Sequence, residues 1–95
     1  MVIRKSTDIQ LFLTDFKRFA SYDPTNEKYY FVFHDKRRGG QLTLMYKAGD
    51  YTFHGLGEGY CDLQETILSS EECQKFIWFH RKAINQSIKE NLVIS

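Results

Sequence analysis

Apolar residues recur at helical intervals near both ends of the chain and alternate with polar ones through its middle. Over residues 8–20, Ile9, Phe12, Leu13, Phe16, Phe19 and Ala20 share one face of a 3.6-residue period, with Thr14, Lys17 and Arg18 turned away. Thr7 followed by Gln10 has capping-box spacing and predicts the start of this helix. Residues 21–26 collect turn formers around Pro24, which disfavours helix at the residue before it and so ends the segment.

From residue 28 the period changes to two. Residues 28–34 are rich in β-formers and residues 41–47 alternate cleanly, with a hairpin loop predicted at 35–40. Ala48-Gly49-Asp50 predicts a second turn into residues 51–54. The glycines of residues 55–59 predict a third, leading to a fourth strand within 60–68 that Asp62 and Glu65 interrupt. The chain then returns to helical spacing over 71–91, where Cys73, Ile77, His80, Ile84 and Ile88 form a stripe flanked by Phe76 and Ala83. Ser69 and Glu72 give this helix a capping box.

These elements predict a single α+β domain over residues 1–95 in the order α-β-β-β-(β)-α. Its three- to four-stranded antiparallel meander carries both the N-terminal and the long C-terminal helix on one face. The buried face takes Tyr29, Phe31, Phe33, Leu42, Leu44, Tyr46, Tyr51 and Phe53. The reverse face takes Tyr30, Val32, His34, Thr43, Met45, Lys47, Thr52 and His54.

Composition narrows the class. With 95 residues the chain is near the lower end of domain size, yet 16% of it is aromatic, so a small core is dense without staples. A net charge of +1 rules out a general polycation, and any attraction to anions must be local. Two cysteines, Cys61 and Cys73, are too few for a disulfide scaffold or a cysteine-only zinc site and read as reduced thiols, a single bridge between them being the alternative. The polar amino terminus and the lack of long apolar runs predict no secretory signal and no membrane span, hence a cytoplasmic protein.

Within this frame Lys36, Arg37 and Arg38 place three cations on a hairpin tip that could reach phosphates or an acidic protein surface. Tyr30, His34, Lys47 and His54 offer rings and charge on the reverse sheet face, as a docking platform, a dimer interface or plain wet surface. Trp78 lies off the apolar stripe, either as a binding anchor or covered by the first helix or the 92–94 tail. His80, on the stripe, reads as a satisfied core histidine. No catalytic set, metal set or cofactor motif is defined: the 55–59 glycines match neither a dinucleotide fingerprint nor a P-loop. The run 28–33 lacks the glycines of an RNA-recognition-motif strand, and the element order differs.

The leading expectation is a non-enzymatic interaction module, a regulator or inhibitor that binds a larger protein through the basic hairpin and the half-apolar sheet face. A single-stranded nucleic-acid binder is the alternative, and a metal-dependent hydrolase centred on His34 and His54 the third.

Overall fold

The computed structural model describes residues 2–37, 40–55 and 66–94. Its elements are α1 (Ser6–Thr14), α2 (Phe16–Phe19), β1 (Ser21–Asp23), β2 (Lys28–Asp35), β3 (Gly40–Lys47), β4 (Asp50–Gly55), β5 (Thr66–Leu68), α3 (Ser70–Phe79) and α4 (Arg81–Ile94). The strands form one antiparallel sheet in the order β1-β2-β3-β4-β5, confirming the α+β meander.

Local chemistry moves several boundaries from their expected places. The first helix begins after Lys5, not Thr7, because the Asp8 carboxylate accepts the backbone N–H groups of Arg4 (2.9 Å) and Lys5 (3.1 Å). An ionised carboxylate there satisfies the amides that lead into the helix, and those bonds hold the Asp8 carboxyl below its ordinary range. Residues 21–23, expected in a turn, instead form β1, where Tyr22 pairs with Tyr29 and their rings lie 4.8 Å apart. The turn contracts to residues 24–27, held by Asp23, which accepts from Thr25 N–H and from the Asn26 amide.

The capping box of the second helical region is as expected: Ser69 Oγ accepts from Glu72 N–H and Glu72 Oε1 accepts from Ser69 N–H. The region is two segments rather than one helix, jointed at His80, although bonds from His80 N–H to Phe76 and from Ile84 N–H to the His80 carbonyl carry the ladder across. Between β3 and β4, Ala48 (φ 50°) and Gly49 (φ 91°) both take the left-handed conformation of a type I′ turn. Arg38, Gly39 and the expected strand start at 60–65, with Cys61, lie outside the described residues.

Both helical layers cover the same sheet face. Phe12 and Phe16 from the first layer, and Ile77, Ile84 and Ile88 from the second, join Phe31, Phe33, Leu42 and Leu44 in one buried cluster. Phe12 meets Phe31 edge-on at 5.5 Å, and Phe76 lies 6.1 Å from Phe33 and 4.7 Å from Phe53. The amino-terminal segment is clasped to α4 by Asn85, whose side-chain amide accepts from Ile3 N–H (2.7 Å) and donates to the Ile3 carbonyl (3.0 Å). Beyond the reach of β1, the Val32 carbonyl of β2 accepts from the Ser87 hydroxyl of α4.

The reverse face departs from expectation at its centre. Thr43 is 6% exposed and Met45 0%, although Met45 is not part of the helix-covered cluster. Both lie on the middle strand, flanked by Val32 and His54 and by Tyr30 and Thr52 respectively. Neither is therefore part of a docking platform.

Cys73 is a free, buried thiol, pushed up to about 11 by burial, and burial likewise pushes the Tyr51 phenol to about 12. A raised thiol pKa favours the folded state fully below the ordinary value of 9.0, and that advantage drains away as pH climbs toward about 11. Urea unfolding midpoints should thus show no Cys73 contribution to their slope below pH 9 and fall above it. Cys73→Ala should flatten the fall just above pH 9.0, before Tyr51, whose ordinary value is 10.0, contributes. An unchanged slope in the variant would refute the assignment.

Candidate functional site

β2 ends where the α3–α4 joint passes it, and the sequence puts opposite chemistry on the two elements there. Asp35 is the last residue of β2, and His80 is the joint residue, 2% exposed among the rings of Phe33, Phe76 and Phe79 at 4.8–5.6 Å. His80 Nδ1 and Asp35 Oδ2 are 2.8 Å apart, an almost fully enclosed contact linking strand to helix. The expectation of a satisfied core histidine holds. The other Asp35 oxygen accepts the backbone N–H of Arg37 at 3.2 Å, an Asx-type bend that orients the start of the hairpin loop.

Asp35 also lines a cleft of about 700 Å³ between the hairpin and the start of α4. One wall carries His34, Lys36 and Arg37; the other carries Phe79, Arg81, Lys82 and Gln86. Four cationic side chains from two elements thus face one space, and its lining carboxylate, Asp35, already serves His80 and Arg37. Arg81 is held in place: its guanidinium lies 4.1 Å from the centre of the Trp78 ring, and Nη1 donates to the Trp78 carbonyl at 2.9 Å. Phe79 is 53% exposed, and its ring lies nearly perpendicular to that of His80.

The expected site residues are distributed as follows. His34, Lys36 and Arg37 gather in the cleft, and Trp78 adjoins it through Arg81. Trp78 is 39% exposed and so is not fully covered. Arg38 lies outside the described residues. Tyr30 and His54 are half-buried on the reverse face, away from the cleft. Lys47 ends β3 at the opposite end of the sheet, beside a smaller groove with Lys28, Asp50, Thr52 and Ile67. His34 and His54 sit on β2 and β4 with β3 between them, opposite Gln41 and Thr43 respectively, two strand spacings across and two residues along, or roughly 12 Å apart. Among the described residues no group of three or more His, Cys, Asp or Glu side chains is placed to hold a metal.

Reading from the sequence missed Asp35, Arg81, Lys82, Phe79 and Gln86 as parts of the site. The available signal was the adjacency of Trp78-Phe79 to Arg81-Lys82, an aromatic pair followed by a cationic pair around a histidine.

Fold and cleft together define a small α+β protein with a cationic groove between a β-hairpin and a helix joint. Comparison with known families, with curated proteins and with solved structures finds no match, so the reading of this groove rests on its own geometry. No helix among the described residues is long and apolar enough to cross a membrane.

Proposed function

We propose that the chain is a non-enzymatic, cytoplasmic interaction module that holds an acidic segment of a larger partner protein in the cleft between β2 and α4. The observation that carries this reading is the convergence of Lys36 and Arg37 with Arg81 and Lys82 on a single concave space whose lining carboxylate is already engaged. Concavity excludes water from part of the contact, where charge-assisted hydrogen bonds count for more than on open surface. The net charge of +1 gives little long-range pull on a polyanion, which favours a short acidic peptide over nucleic acid.

A single-stranded nucleic acid is the second reading, supported by exposed Trp78 and Phe79 rings next to Arg81, an arrangement on which bases stack. The two readings part in a fluorescence-anisotropy titration at low salt with a labelled glutamate-rich peptide and a labelled oligothymidine. The proposal expects saturable peptide binding that is tighter than oligonucleotide binding. Tighter oligonucleotide binding, or no peptide binding at all, overturns it.

A further inference from the structure

The charge arrangement in the cleft selects among acidic ligands. Two of its four cations are arginines, one on each wall, and each is constrained by a different device. The backbone of Arg37 is fixed by its N–H bond to Asp35, which is itself fixed by His80. The guanidinium of Arg81 is stacked on Trp78 and spends one N–H on the Trp78 carbonyl, so part of its rotamer entropy is lost before any ligand arrives. Lys36 and Lys82 add one cation on a long aliphatic stem to each wall.

A single carboxylate uses only part of this arrangement. It is flat and carries one negative charge, and a guanidinium fork on one wall takes up one edge of the group, which leaves the cations of the far wall less neutralised. A phosphate monoester carries about −1.5 to −2 charges near neutral pH on a tetrahedral centre with three acceptor oxygens. It accepts from both walls at once and relieves the repulsion across the cleft. A phosphodiester backbone spreads single charges along a chain, whereas the cations here are confined to one cleft and Lys47 stands at the far end of β3. The exposed Phe79 ring supplies an apolar contact for the residue next to the phosphate.

Resting on the reading of the cleft as a site for an acidic protein segment, we propose that it recognises a phosphorylated serine or threonine in that segment, with Arg37 and Arg81 gripping the phosphate from opposite walls.

The test uses the full chain and three peptides identical except at one central position: phosphoserine, glutamate or serine, each flanked by acidic residues. Isothermal titration should find the phosphoserine peptide at least about tenfold tighter than the glutamate peptide, a difference of ~1.4 kcal/mol. Arg81→Lys, which keeps the charge but loses the planar fork, should shrink that preference by weakening the phosphoserine peptide more than the glutamate peptide. Equal affinity for the phosphoserine and glutamate peptides would overturn phosphate recognition while leaving the acidic-segment reading intact. Failure of all three peptides to bind would overturn that reading itself. A 5′-phosphorylated oligothymidine binding more tightly than the phosphopeptide would place the phosphate on nucleic acid and likewise overturn the proposal. Circular dichroism of Arg81→Lys separates lost folding from lost recognition.

Discussion

Replacing His80 by alanine should lower the unfolding free energy by about 3 kcal/mol, one of the two largest effects expected from the structure. Two losses combine. The imidazole fills a space walled by Phe33, Phe76 and Phe79, which cannot all close over a methyl group without disturbing the joint between α3 and α4. Its removal also leaves Asp35, a largely enclosed carboxylate, without the partner 2.8 Å away. For a domain of this size such a loss corresponds to a melting temperature lower by on the order of 15 °C. Asp35→Asn keeps one acceptor oxygen where Asp35 uses two, so it can hold His80 only by giving up the bond from Arg37 N–H, and it should cost about 1 kcal/mol. Urea denaturation of the two variants checks both numbers. A loss below about 1 kcal/mol for His80→Ala would mean that the contact is not the tie described above.

The same tie explains what could and could not be read from the sequence. Phe12, Phe16, Ile77, Ile84 and Ile88 were legible as core because helical periodicity is a local signal, and all five are buried against one sheet face. The box of Ser69 and Glu72 was legible for the same reason, its partners being three residues apart. At the first helix an equally local rule chose the wrong cap, since the Asp8 carboxylate takes the N–H groups of Arg4 and Lys5 and the helix starts before Thr7 could cap it. The short strand β1 was hidden because turn-forming residues surround Tyr22, and only its cross-strand partner Tyr29 reveals it.

Non-local effects were out of reach. Alternation placed Thr43 and Met45 correctly on the reverse face but carried no information about their burial. Lys36 and Arg37 stood out as a loop cluster, whereas Arg81 and Lys82 looked like ordinary polar positions of an amphipathic helix. What joins the two sets is a contact between Asp35 and His80 across 45 positions of sequence, and no spacing rule announces such a contact. Half of the site was therefore visible, and the half that turns a charged loop into a concave one was not.

The second large effect concerns binding and bears directly on the cleft. Arg37→Glu combined with Lys82→Glu reverses one charge on each wall and touches neither the core nor the bond between Asp35 and His80, so stability should change little. Each reversal should cost the acidic ligand about 1.4 kcal/mol or more, a combined weakening of at least roughly 100-fold at low salt. The matched control is Lys47→Glu with Lys89→Glu, which makes the same change in net charge at two exposed lysines that do not line the cleft. The decisive measurement is the affinity of the glutamate-rich peptide for these two double variants, side by side with the unaltered chain. The account predicts that the cleft variant loses binding about 100-fold while the control stays within about threefold. Equal losses in both variants would contradict it, since the attraction would then belong to overall charge and not to the groove between the hairpin and α4.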